Sequence, residues 1–423
     1  MMKSLHNFDS FDFGWLIVSI GMAVGAGIVL VPISVGVVGF AVFVVSILIA
    51  YPGIYLFQKL YIQTLFAAKE PRPYKETVAE LLGGKWTTFL GALYLLMMLT
   101  WTVIYAEVVA KSLAAYLYMF KLTANPHLEH NVLYSAILMI ALIFIGMKSQ
   151  KLFVRVSTFL VVILIMAIIL ASVFLIPLWS FNNVLQLPVD SGEFIAKIII
   201  MLPFSLTSIL FIQSLSPMVI SYRLHYRKKD KNFVLAKTVR TMTLAFVILI
   251  VIIGFYILSF SLVIPRADAL EATQNNQSAF ILLEKQGLSN GVLYICGIII
   301  SLCAILTSFL SVLAGMEESL KGLLRKTATR LGLKDDTNHI LSLSTLVVVI
   351  IFLLTWLSIV FDVPVYKLVP LSGPIFGILG CLVPSYIVFK IPQLERYRTK
   401  SIYFVIFVGI ILVISPLLTS ALS

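Results

Sequence analysis

The chain has 423 residues, a formal net charge of +12, 60% hydrophobic and 12% charged residues, and a mean hydropathy of +1.05. Soluble domains are not built from such a composition, so a soluble enzyme or a nucleic-acid-binding module is excluded and a polytopic inner-membrane protein is expected. The basic excess then reads as a topology signal rather than as the mark of an anionic partner.

Apolar runs long enough to cross a hydrocarbon core of ~30 Å fall at residues 14–36, 39–58, 87–119, 131–147, 153–177, 195–221, 240–263, 291–316, 341–361, 370–389 and 401–421. Eleven transmembrane helices put the two termini on opposite faces. With the N-terminus in the cytoplasm, the inner loops hold 25 of the 31 Lys and Arg residues, and the outer loops only Lys121, Arg266, Lys285 and Lys367. This asymmetry predicts a cytoplasmic N-terminus and a periplasmic C-terminus in a bacterial inner membrane. Met1 to Phe13 lacks the pattern of a cleaved signal peptide. The basic run Arg223 to Lys231 falls in an inner loop, where the expected partner is anionic lipid rather than nucleic acid. Tyr74 to Leu82 inside and Ala267 to Glu284 outside read equally as surface helices or as connecting loops. Cys296, Cys303 and Cys381 fall inside spans with no Cys/His pairing at metal-ligand spacing, so they read as packing residues and no cofactor is expected. No loop has room for a soluble domain, which leaves one transmembrane domain over residues 1–423.

The first span carries Gly21, Gly25, Gly27 and Pro32. Glycine costs a helix interior about 1 kcal/mol against alanine, and proline about 3. Two readings follow: a helix broken at its middle, whose freed backbone groups line a cavity, or a face of small residues for close helix packing. Transporters built from inverted repeats of five would place a second broken span five helices later. The sixth span meets that test, because Pro203 and Pro217 bracket Ser205, Thr207, Ser208, Gln213, Ser214 and Ser216. The expected architecture is therefore a 5+5 inverted repeat over about 14–177 and 195–389, with spans one and six broken and a peripheral helix at 401–421. The breaks are expected at about Val24 to Ile28 and Ser208 to Ser214.

In the eighth span, Thr307 and Ser308 follow Ala304. With the carbonyls of Gly21, Val24 and Ala304, these two hydroxyls form an oxygen set suited to sodium. A proton-coupled alternative needs a group that titrates within the membrane. Glu107 is the acidic residue well inside a span, and with Lys111 at i+4 it reads first as an ordinary helix salt bridge. Asp12, Glu317 and Glu318 read as interfacial.

The chain also resembles a known family. Gly21-Met-Ala-Val-Gly-Ala-Gly-Ile-Val-Leu-Val-Pro-Ile33, Ser216-Pro217, Thr307-Ser-Phe-Leu310, Leu371-Ser-Gly-Pro-Ile375, Pro384 and Lys390-Ile-Pro-Gln-Leu-Glu-Arg-Tyr397 are similar to the hydroxy- and aromatic-amino-acid permeases, nearest the serine/threonine branch. The resemblance covers nearly the whole chain. It implies a LeuT-like fold and inward transport of serine or threonine, usually with protons. The chain departs from the branch at Phe211-Ile-Gln-Ser-Leu-Ser-Pro217, where the branch has Phe-Ser-Phe-Asn-His-Ser-Pro, and at Thr307, where it has lysine. The set Gly21, Val24, Ala304, Thr307 and Ser308 is similar to the sodium site of LeuT-type symporters.

These strands converge on a secondary active transporter, with no covalent chemistry, that moves a small neutral amino acid with H+ or Na+. Serine or threonine is the first expectation and an aromatic amino acid the second. A passive channel is the remote alternative, since no span offers a ring of pore-lining carbonyls or charges. The backbone N–H groups of Gly25, Ala26 and Gly27 are expected to hold the substrate carboxylate. Carbonyls over Leu210 to Gln213 would take the ammonium, and Ser214 and Ser216 would face the side chain. Thr100, Trp101, Thr102 and Tyr105 of the third span are candidates for closing the pocket. The partners are the amino acid, the coupling cation and membrane lipid; the sequence fixes no oligomeric state.

Overall fold

The computed structural model describes residues 8–125, 127–148, 150–184, 191–285, 287, 291–330 and 337–422. Among them all regular structure is helical, as the hydrocarbon core demands of a chain that must satisfy its backbone within each segment. Among the described residues nine helices are long and apolar enough to cross a membrane, and the bent pair Ser10–Ala23 with Gly27–Val38 makes ten. The remaining expected segment, 131–147, forms the helix Val132–Lys148 of 17 residues. At about 1.5 Å per residue it falls short of the full core thickness, so the structure does not establish the eleventh span.

Both expected breaks are present. The first span is split into Ser10–Ala23 and Ala26–Val38, and its halves meet at 46°. The sixth consists of Ser191–Ile209 and Ile212–His225, interrupted at Leu210 and Phe211. None of Pro32, Pro203 and Pro217 sits at a break; each lies inside a helix. The surface segments are also helical: Tyr74–Leu82 on the expected inner side, and a hairpin of Arg266–Gln274 and Ala279–Lys285 on the expected outer side. That hairpin packs on the outer half of the first span, where Gly36 admits Ala269: a Cβ at Gly36 would lie 2.6 Å from the Ala269 Cβ.

The first span begins in a capping box. The Asp9 carboxylate accepts the Phe11 and Asp12 amides, and the Asp12 carboxylate accepts the Asp9 amide. Contrary to the interfacial reading, Asp12 is buried, at 1% exposure. It accepts hydrogen bonds from the Tyr222 hydroxyl at 2.6 Å and from Lys237 Nζ at 2.5 Å, while Tyr222 also meets Thr241 at 2.8 Å. Lys237 reaches Asp9 at 3.3 Å, and Tyr226 donates to Asp9 at 2.6 Å. Partial burial pushes the Asp9 carboxyl up, but the Tyr226 hydroxyl, the Asp12 amide and Lys237 outweigh it and hold it at about 2. This network joins the inner half of span one to the inner half of span six and to the seventh span, Lys231–Val263.

Removing one member of a buried pair strands the other, at a cost of about 3–5 kcal/mol. Lys237→Met is therefore expected to lower the thermal midpoint of the purified protein. Adding Asp12→Asn should recover much of the loss, since the stranded charge goes with it. A double variant no more stable than Lys237→Met contradicts the pairing.

Candidate substrate and ion site

At the first break the backbone redirects its donors one by one. The Val24 amide closes the last helical bond to Ile20 O, but the Gly25 amide turns to Ala23 O at 3.0 Å, and the Gly21 carbonyl thereby loses its helical donor. The Ile28 amide goes to Gly25 O at 3.1 Å, which releases the Val24 carbonyl in the same way. The two carbonyls singled out from sequence are thus the ones the local geometry frees. The amides of Ala26 and Gly27 stand in the first turn of the outer half-helix, where no intrahelical acceptor exists and the helix dipole is positive.

The second break works by a different device. The Phe211 amide donates to Gln58 Oε1 of the second span at 3.4 Å, which leaves the Thr207 carbonyl without its helical partner. Gly27 packs directly on this carbonyl, since a Cβ there would lie 2.5 Å from Thr207 O. The two breaks therefore touch backbone to backbone, with Val24, Leu210 and Phe211 all buried.

Around them stands a shell of hydroxyls and rings. A Cβ at Gly25 would lie 2.5 Å from the Tyr105 hydroxyl and 2.7 Å from Ser308 Oγ, which brings the third and eighth spans onto the first break. Ser308 is buried, and it follows a π-helical turn over Ile300–Ala304. Such turns widen a helix locally and recur at functional sites. Trp101 packs against Tyr105 and against Phe376 of the tenth span, with ring centroids 5.6 Å and 6.5 Å apart. Among the described residues, Trp101 Nε1 and Gln58 Nε2 are two of the buried donors that lack a partner.

The other sequence candidates have structural duties. Thr102 donates to Met98 O at 2.6 Å and Thr100 to Leu96 O at 3.0 Å, so both hydroxyl protons are committed to their own helix. Ser214 donates to Phe211 O at 2.8 Å, and Ser19 reaches Ser214 at 3.3 Å. Ser216 accepts the Tyr74 amide at 3.1 Å and so anchors the inner surface helix. Gln213 is half-buried. The side chains of Ala26 and Thr307 lie outside the described residues, and Ala304 is buried beside Ser308. Sequence reasoning missed Gln58 and also Tyr51, whose hydroxyl donates to Ser208 Oγ at 3.3 Å; Ser208 in turn donates to Ser205 O at 2.7 Å. Their only sequence signal is a polar side chain within an apolar span.

Two broken spans, one each at the first and sixth positions of an all-helical membrane bundle, with released carbonyls between them, define a multi-pass transporter of LeuT type. The solved structure of MhsT in complex with L-phenylalanine matches with a TM-score of 0.56 at 16% identity over 96% of this chain and 97% of that one. The chain belongs to the tryptophan/tyrosine permease family, whose model matches residues 9–421. It is an amino acid permease, not an enzyme. It is similar to a serine transporter of Escherichia coli O157:H7, with 37% identity over 97% of this chain and 92% of the relative. It is also similar to the threonine/serine transporter TdcC of Edwardsiella tarda, with 25% identity over 96% and 94%.

The glycines separate site from scaffold. In Gly25→Ala the new methyl meets the ends of flexible side chains, so the protein should fold with a near-native thermal midpoint while uptake falls at least about tenfold, or ~1.4 kcal/mol. In Gly27→Ala it meets backbone that cannot yield, and overpacking of about 1–3 kcal/mol should lower the midpoint itself. Equal thermal losses in the two variants contradict this division.

Proposed function

We propose that the protein is a cation-coupled symporter that carries serine or threonine into the cytoplasm across a bacterial inner membrane, with its N-terminus inside. The observation that carries the reading is the contact of the two breaks. Beside that contact, the amides of Ala26 and Gly27 would take a carboxylate and the Thr207 carbonyl with the C-terminal end of Ser191–Ile209 an ammonium, so that a zwitterion bridges opposite half-helix dipoles. The similarity to a bacterial serine transporter and a bacterial threonine/serine transporter supports the substrate class. The orphaned donors of Trp101 and Gln58 are suited to a substrate hydroxyl or carboxylate, and an unused buried donor favours a ligand that satisfies it. The aromatic substrate remains the second reading, favoured by the ring shell of Trp101, Tyr105 and Phe376.

The coupling cation is H+ or Na+. The freed carbonyls of Gly21 and Val24 with Ala304, Thr307 and Ser308 support sodium, which takes hard oxygen ligands. One charge entering across ~100 mV releases about 2.3 kcal/mol, roughly a forty-fold accumulation before any ion gradient is added. Repeats over about 14–177 and 195–389 would rock about this site, with lipid around them.

Labelled serine uptake into proteoliposomes tests the reading. Accumulation should follow an imposed inward sodium gradient, and Thr307→Ala with Ser308→Ala should lower both sodium coupling and serine affinity, because the two sites share the first break. Accumulation in choline buffer driven by a pH gradient alone, unchanged in the double variant, assigns the coupling to protons instead. No accumulation of any amino acid under either gradient contradicts the symporter.

A further inference from the structure

Expected as partners, Glu107 and Lys111 are not paired with each other. Lys111 Nζ is bonded to Asp362 Oδ1, in the turn between the ninth and tenth spans, and reaches the Asn275 carbonyl at 3.5 Å. Glu107, one helical turn deeper, is fully buried. Its Oε1 accepts the Val363 amide at 3.2 Å, and its Oε2 has no partner among the described residues.

The same turn is clamped from the other side by the outer hairpin. Asn276 Nδ2 donates to Asp362 Oδ1 at 3.3 Å and to Val363 O at 3.5 Å, Asn276 Oδ1 accepts the Val365 amide at 3.1 Å, and the Tyr366 hydroxyl donates to Gln277 O at 2.8 Å. Asn276 and Asp362 both sit in the left-handed region, at φ 51° and 48°, where asparagine and aspartate are the tolerated non-glycine residues. Together these contacts tie the hairpin, which packs on the first span at Gly36, to the turn before Val365–Leu371.

The charged groups acting on Glu107 are Lys111, from its own helix, and Asp362; His130 in turn acts on Asp362. Lys111 is committed to Asp362, whose carboxyl partial burial raises and Lys111 pulls below the ordinary range. That pair is already neutral. An ionised Glu107 would add an unmatched negative charge with one oxygen unsolvated, whereas the neutral acid leaves only one buried hydroxyl without an acceptor.

We propose that Glu107 is a proton-binding site that fills when the outer hairpin and the Asp362 turn close over it and empties when they lift. Closure removes water from the carboxyl, and the single Val363 amide, which by itself favours the carboxylate, does not replace that hydration, so the closed state holds one proton more than the open one. The sign follows: outside acid favours closure, and the closed state weakens as pH rises through its own titration point. By reciprocity, whatever closes the outer face tightens proton binding. The consequence for uptake rests on the symporter reading; the protonation does not.

Infrared difference spectroscopy of the full-length protein in lipid vesicles reads the proton directly. Wild type near neutral pH should show the carbonyl stretch of a protonated carboxylic acid that is missing in Glu107→Gln. Asp362→Asn should abolish the same band at that pH, because Lys111 then turns to Glu107 and stabilises its carboxylate. A wild-type spectrum unaltered by Glu107→Gln, or a band that survives Asp362→Asn, overturns the proposal. In parallel, wild-type serine uptake at limiting substrate should fall by up to about tenfold per pH unit on the alkaline side, and Glu107→Gln, fixed in the neutral form, should be flat. A Glu107→Gln profile that keeps the wild-type pH dependence also overturns it. The infrared band with no amino acid accumulation at any pH or gradient would instead overturn the symporter and leave the proton site standing.

Discussion

Every backbone N–H and C=O within a bilayer needs a partner, and this requirement governs the molecule. A continuous helix meets it without help. The two broken spans do not, and the rest of the bundle is arranged around their exposed groups. Ala23 and Gly25 carbonyls take the amides at the first break, the Gln58 side chain takes the Phe211 amide at the second, and the glycine at position 27 lets the two backbones meet. Among the described residues this leaves carbonyls and first-turn amides at the two breaks without a helical partner, the kind of groups the proposed site for a zwitterion and a cation would use.

The two faces of the membrane are closed by different chemistry. Inside, Asp12 and Lys237 form a buried ion pair that is fully hydrogen-bonded through Tyr222, Thr241 and the Asp9 amide. Outside, Lys111 and Asp362 form a pair at the rim, with the Asp362 side chain 41% exposed, and the buried carboxyl of Glu107 beneath it has an oxygen unpartnered. Breaking the satisfied network strands a buried charge, whereas the other pair stands above a carboxyl oxygen that has no partner among the described residues. In the proposed reading this asymmetry puts the proton-responsive closure at Glu107.

Much of the fold was legible because it rests on local constraints. Hydropathy located ten of the eleven expected spans, and Gly21, Gly25 and Gly27 located the first break within a few residues. The sixth-span break fell inside its expected window, yet at Leu210 and Phe211, which carry no helix-breaking residue; the break is stabilised from outside, by Gln58, 153 residues away in sequence. The prolines misled for the same reason, since the bundle accommodates each within a helix. Pairings across the chain were beyond reach. Lys111 has an acid at i−4 and chooses one 251 residues away, and Asp12 finds Lys237 across 225 residues. Around the breaks, the sequence picked out the small residues that come close together, Gly25 and Gly27, but could not show that Thr102 and Ser214 bond backbone carbonyls of their own helices or that Ser216 bonds the Tyr74 amide, because a serine so engaged looks the same in sequence as one that faces a ligand.

The central claim is that the paired breaks hold the amino acid. A structure of the protein in lipid nanodiscs with saturating serine tests it most directly. The account predicts density between the two breaks, with the carboxylate on the Ala26 and Gly27 amides and the ammonium toward the Thr207 carbonyl. Serine bound elsewhere, with the space between Gly25 and Phe211 unchanged from the substrate-free protein, would contradict it.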